Sequence, residues 1–142
     1  MRERHVTIVY GPPAAGKTTY VEQHREPGDL VWDFDAVYST ITGLPAHFRR
    51  NCPHPLVMAL RDAFIRFLIG HRDTTNVWII ESLPTRVERL RRFQQLGCSF
   101  VEIVPDIHEC RRRMSQRAPE CADAIDQWFA RYEPEPESPC HS

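Results

Sequence analysis

Two rhythms of apolar and polar residues alternate along the chain. Unbroken apolar runs at His5–Tyr10 and Val77–Ile80 read as strands buried on both faces, the second ending in Glu81. Phe100–Val104 reads as a third strand. Leu30–Phe34 is a shorter one, bracketed by Asp29, Asp33 and Asp35. Helical spacing takes over between them. Leu56, Leu60, Phe64, Phe67 and Leu68 fall on one face of a helix over Leu56–Ile69. Lys17–His24 is a helix stopped by Pro27-Gly28. Thr85–Leu96 is an amphipathic helix with Thr85 as N-cap and Gly97 as its stop. Asp106 caps a helix to about Arg117, Pro119 interrupts, and Cys121–Tyr132 forms the last helix. Ser39–Pro55 carries Gly43, Pro45, Pro53 and Pro55 and reads as irregular. Residues 133–142 have no apolar period and are expected to be a disordered acidic, proline-rich tail.

Strands alternating with helices predict an α/β fold. Its parallel sheet would carry helices on both faces, in a single domain over residues 1–132. Ligands of such sheets sit at the carboxyl ends of the strands. Those ends carry Gly11–Lys17, the pair Asp33 and Asp35, Glu81, and Pro105-Asp106.

Composition narrows the picture only a little. The chain has 142 residues, one domain's worth, and a net charge of −1 gives no global pull toward nucleic acid or an acidic membrane. No apolar stretch approaches membrane-spanning length. The cysteines, Cys52, Cys98, Cys110, Cys121 and Cys140, are odd in number and never spaced C-x-x-C. That points to reduced thiols and a cytoplasmic setting rather than a disulfide frame or zinc site. One detail changes more: among 18 lysines and arginines, Lys17 is the only lysine.

That lysine lies in Gly11-Pro-Pro-Ala-Ala-Gly16-Lys17-Thr18, a full match to G-x-x-x-x-G-K-[ST] between a strand and a helix. Such a match arises by chance on the order of once in a few hundred chains of this length. The glycines allow close backbone approach, and Ala14, Ala15, Gly16, Lys17, Thr18 and Thr19 supply inward N–H groups at a helix start. Pro12 and Pro13 lack that donor, but both lie in the outer part of the loop. Lys17 carries a compact charge to the terminal phosphates, a place a planar guanidinium does not fit. The Thr18 hydroxyl is a ligand for Mg²⁺. The pattern calls for ATP with Mg²⁺.

Asp33 and Asp35 stand two apart at the end of the second strand. On a strand they would share a face, one holding a magnesium-bound water and the other accepting a proton from an attacking hydroxyl. The competing reading makes Asp35 the cap of a short helix and leaves Asp33 solvated. Arg113 and Arg117 share a helix face and could neutralise charge on a transferred phosphoryl group. Arg111 and Arg112 read as solvated neighbours. The run Arg86–Arg92 reads as a solvated helix face, with Arg86 the one candidate for a substrate contact. Phe48 beside Arg49-Arg50 could line an acceptor site.

The order of these features, ending in V-P-D…C-x-x-R-x-x-x-R, resembles the small P-loop kinases. Within them it is most similar to phage polynucleotide 5′-hydroxyl kinase domains and to the zeta-toxin-like and gluconate-kinase-like groups. The resemblance runs from about His5 to Tyr132. It implies a general base at Asp35 and lid arginines at Arg113 and Arg117. It also sets Ile80-Glu-Ser-Leu-Pro-Thr-Arg86 where the polynucleotide kinases have an acid followed by Asn-Pro-Glu-Arg. Two departures stand out: Tyr38 replaces the arginine three residues after the base, and no fifth strand is evident. The resemblance implies transfer of the γ-phosphate of Mg-ATP to a hydroxyl acceptor, a nucleic-acid 5′ end or a nucleotide-like molecule. An ATPase or regulatory switch with no phosphorylated acceptor, and a nucleotide-binding module without chemistry, are the other classes the motifs allow.

Overall fold

The structure is a computed structural model and describes residues 4–45, 54–71 and 73–136. In chain order its elements are β1 (Val6–Tyr10), α1 (Lys17–His24), β2 (Leu30–Trp32), α2 (Phe34–Thr42), α3 (His54–Gly70), β3 (Val77–Glu81), α4 (Arg86–Leu96), β4 (Ser99–Glu102), α5 (Ile107–Arg117), a 3₁₀ turn Pro119–Cys121, and α6 (Ala122–Arg131). The four strands are all parallel, in the order β2-β3-β1-β4. β1 is central, with Val6 opposite Val77 and Tyr10 opposite Glu81 on one side, and Thr7 opposite Ser99 on the other.

Successive strand residues face opposite ways, and both sides are covered. Ile79 packs in a core with Val57 and Leu68 of α3. Its neighbour Trp78 meets Tyr20 of α1 edge-on, with ring centroids 6.5 Å apart. Ile8, Val9 and Ile79 have no exposed surface, and each such side chain contributes about 1.5–3 kcal/mol relative to exposure. A second cluster, Cys110, Met114, Ala118 and Ile125, joins α5 to α6 and packs on Ala14 of the loop after β1. The turn that carries the sequence motif is therefore clamped between the sheet and the α5–α6 pair.

Several sequence expectations are corrected in detail. Leu30–Phe34 is not a strand throughout: β2 ends at Trp32, because Asp33 caps α2 by accepting from the Asp35 amide. Residues 39–55 are not irregular throughout either. α2 runs to Thr42 and stops at Gly43, whose φ of 71° suits glycine, and α3 begins at His54. Phe48, Arg49 and Arg50 lie outside the described residues. The caps at Thr85, Gly97 and Asp106 are where the sequence put them. Of the expected tail, Glu133 and Glu135 are bound to α4 and the turn before it, while residues 137–142 lie outside the described residues. Among the described residues no helix is long and apolar enough to cross a membrane.

Candidate active site at the carboxyl edge

The loop between β1 and α1 is shaped by close approach and by left-handed backbone. A Cβ on Gly11 would lie 2.0 Å from the Ile103 carbonyl oxygen, so only glycine lets the chain leave β1 beside β4. Ala14 and Gly16 have φ of 63° and 96°. Left-handed residues in such a turn bring successive N–H groups to one side, the geometry of an anion nest. Gly16 is the N-cap of α1 and offers no side chain to its N–H groups, and the first turn holds no acid. The positive end of that helix is thus left for an anionic ligand. Ala15 is buried under the loop, whereas Thr19 is exposed.

Lys17 Nζ donates to the Gly11 carbonyl oxygen at 2.7 Å, folding back along the loop. Burial pushes its ammonium down to about 8, against the opposing pull of Asp35 and then Asp33. Both acids therefore stand close enough to act on this lysine. Thr18 Oγ1 donates to Asp33 Oδ2 at 3.1 Å, while Asp33 Oδ1 accepts from the Asp35 amide at 3.1 Å. The two aspartates do not share a strand face. One carboxylate organises the pair instead: it caps α2, presents Asp35 in the first helical turn, and reaches across to α1.

Arg113 reaches the loop from α5. Its Nη1 donates to the Ala14 carbonyl oxygen at 3.2 Å and its Nε to Glu109 at 3.0 Å. Nη1 would stand 3.6 Å from a Cβ on Gly16. Glu109 also accepts from Arg112, and those two arginines, Arg112 first, hold its carboxyl down at about 2. Arg117, one turn beyond Arg113, is exposed and is not brought onto the loop. Arg111 pairs with Asp126 across the α5–α6 contact.

The expectation of a solvated face over Arg86–Arg92 is overturned for two of its members. Arg89 is 2 % exposed: it donates to the carbonyl oxygens of Leu83, Pro84 and Glu133, pairs with Glu135, and lies over the Tyr10 ring. Leu83 has a φ of 33°, a strained value for leucine. The turn it makes is held by Arg89 and by Trp128 Nε1, which donates to the Ser82 carbonyl oxygen at 2.8 Å. Arg92 grips Glu81 with bonds of 2.7 and 3.1 Å, and Arg61 of α3 stands 3.9 Å from the same carboxylate. Glu81 is thus spoken for at the end of β3. Arg86 stays exposed, its backbone N–H bonded to Glu133. Tyr38 is fully buried, so the position where the polynucleotide kinases carry an arginine faces the core here.

No protein-family model matches the chain, and no curated protein matches its sequence. Its backbone, however, is similar to several solved structures. A chain in the Pnkp1/Rnl/Hen1 RNA repair complex superposes with a TM-score of 0.67 at 15 % identity, over 92 % of this chain. This chain spans only 44 % of that protein's chain. A gluconokinase from Sinorhizobium meliloti 1021 gives a TM-score of 0.57 at 15 % identity, over 94 % of this chain and 78 % of that one. APE1195 gives 0.56 at 24 % identity, over 98 % and 84 %. The chain shares the fold of these structures, a parallel sheet with helices on both faces. The loop leaves the end of β1 and Asp33 and Asp35 follow the end of β2, with β3 between those strands, so all lie on the carboxyl edge of one parallel sheet, and Arg113 reaches the loop from α5.

Sequence reasoning missed Arg61, Arg89, Arg92 and Tyr10 as participants in this edge. Arg61 carries no motif and sits in an otherwise apolar helical stretch. Arg89 and Arg92 are hidden in a run whose composition reads as solvent-facing.

Proposed function

We infer that this chain is a phosphotransferase that moves the γ-phosphate of Mg-ATP to a hydroxyl acceptor, a nucleic-acid 5′ end or a nucleotide-like molecule. The contact of Thr18 with Asp33, beside a desolvated Lys17, carries the reading. A nucleotide store or a purely structural loop has no need of a hydroxyl and a carboxylate meeting at 3.1 Å next to an under-supplied ammonium. Those oxygens are the hard donors Mg²⁺ takes alongside phosphate oxygens and water, and among the described residues no group of three His, Cys, Asp or Glu competes as a metal site. Mg²⁺ held there would offset charge on the phosphates.

The chain's own groups then divide the work. The amides from Ala14 to Thr19, with Gly11 giving the close approach, hold the polyphosphate. Lys17 leaves the Gly11 carbonyl for a phosphate oxygen. Asp35 takes the proton of the attacking hydroxyl. Arg113, already on the Ala14 carbonyl, shifts onto the transferred group, and Arg117, one turn further along the same helix face, is the second lid arginine. The free thiols of Cys98, Cys110 and Cys121 suit a cytoplasmic setting. Tyr38, buried, cannot read an acceptor's phosphate, which favours a compact acceptor over a long polynucleotide.

A transfer screen with γ-labelled ATP against 5′-hydroxyl DNA and RNA, nucleosides and sugars tests this. Label is expected on one of these acceptors, and Asp35→Asn is expected to cut transfer about 10³-fold while Mg-ATP affinity stays within about twofold. Label passing only to water would replace the reading with an ATPase.

A further inference from the structure

Helix α4 presents an apolar stripe to solvent. Val87, Leu90 and Phe93 are 57, 54 and 53 % exposed, although helical spacing of this kind ordinarily marks a buried face. They border a groove of about 490 Å³ that also takes in Phe100 of β4. β4 is an edge strand, bonded to β1 alone among the described residues. The Ile103 amide donates to the Tyr10 carbonyl oxygen, so by alternation Phe100 and Glu102 turn their backbone groups to the open side. An unpaired edge beside an exposed apolar stripe is a surface that proteins ordinarily cover.

We propose that this surface is the interface of a two-fold symmetric dimer of the chain, built on α4 against α4. The stripe itself selects a second copy. Leu90 lies midway between Val87 and Phe93, three residues from each. A two-fold axis through Leu90 therefore sets the helices antiparallel, with Leu90 on its own counterpart and Val87 against the partner's Phe93. That is the self-complementarity an isologous interface requires. Charge agrees with it. Antiparallel packing carries Arg86, exposed at the start of α4, to the end of the other α4. There the carbonyls are partly negative, and no basic residue stands in the last turn. The segment that follows the stretch bound to α4 does not fit as the cover: residues 137–142 read Glu-Ser-Pro-Cys-His-Ser and offer no large apolar side chain to fill the groove. The interface lies on the face of α4 turned away from Glu81 and the phosphate loop, so it leaves nucleotide access open.

Sedimentation equilibrium of the full chain from about 1 to about 100 µM tests the proposal, since a small interface of this kind associates with a constant on the order of 10 µM. The mass is expected to rise from 16.6 kDa toward twice that value. Leu90→Glu, at an exposed position, is expected to stay monomeric with an unchanged circular dichroism spectrum and Mg-ATP affinity. Leu90→Cys is expected to cross-link to itself under mild oxidation, and Val87→Cys only when mixed with Phe93→Cys. A chain ending at residue 136 is expected to dimerise as the full chain does. The proposal is overturned by a monomer throughout, by dimers that survive Leu90→Glu, or by dimers that form only once residues 137–142 are removed.

Discussion

Two cations are taken out of water on either side of Tyr10, and they are treated in opposite ways. Arg89 lies over the Tyr10 ring and has an acceptor for each of its three nitrogens, from the carbonyl oxygens of Leu83, Pro84 and Glu133 and the carboxylate of Glu135. Lys17, on the loop that follows Tyr10, has three N–H groups to place and, among the described residues, donates to one carbonyl, that of Gly11. The first arrangement is what a buried charge needs in order to be structural, because desolvation is offset by acceptors at every nitrogen. The second leaves the repayment incomplete, and the lowered proton affinity of Lys17 records the deficit. A polyphosphate would complete it. The contrast sets a cation with an acceptor at every nitrogen against one with a single acceptor, a distinction that composition alone does not make.

The largest effect expected from breaking this contrast is at Arg89. Arg89→Met removes a buried cation and leaves the Leu83, Pro84 and Glu133 carbonyls without their donor. The cost is expected to be about 3–5 kcal/mol, seen as an earlier urea midpoint. Mg-ATP affinity of the folded fraction should change less than about threefold. A loss under 1 kcal/mol would mean that the arginine is not structural.

Lys17→Met is expected to act in the opposite direction. The folded state lowers the lysine's pKa from 10.5 to about 8, so the charged form destabilises the fold; the penalty is full below about pH 8 and fades as pH rises through 10.5. With a discount for the side chain's remaining solvent contact, the variant should gain about 1–2 kcal/mol at pH 7, gain nothing near pH 11, and lose nucleotide binding. Thermal melts at both pH values with calorimetry of Mg-ATP check all three. Destabilisation at pH 7 would place Lys17 with Arg89 as a structural cation.

The smallest effect sharpens the comparison. If a polyphosphate completes the Lys17 shell, binding should draw in about half a proton near pH 8 and almost none near pH 6. Titrations in buffers of different ionisation heat measure this, and a proton count that is flat with pH would contradict it.

Much of the site was legible because its signals are local. The strand, the two glycines, the lone lysine and the threonine follow one another in sequence, and the backbone there does what those residue types allow. Asp33 was readable as a candidate, but not its geometry: the Asp33 side chain out-competes one more strand residue by capping α2, and a period-two reading of Asp33 and Asp35 has no way to register that. The helix stop at Gly97 and the caps at Thr85 and Asp106 were equally local, whereas Gly43 was read only as a break in an irregular segment and not as the end of α2. α4 was not. Its arginines looked solvated and its apolar residues looked buried, yet Arg89 is inside, and Val87, Leu90 and Phe93 are outside.

By itself, then, the chain's sequence determined the parallel α/β order, the glycine-bounded turn after β1, and the candidates Lys17, Thr18, Asp33 and Asp35, because each depends on neighbours within a few residues. Only the tertiary structure decided which arginines are structural, that Arg113 rather than Arg117 touches the loop, that Glu81 is consumed by Arg92, and which face of α4 meets solvent. Those outcomes turn on acceptors supplied from distant segments, such as Glu133 and Glu135 for Arg89 and Ala14 for Arg113. Burial of a charge is decided by whether such acceptors arrive, and no local pattern carries that information.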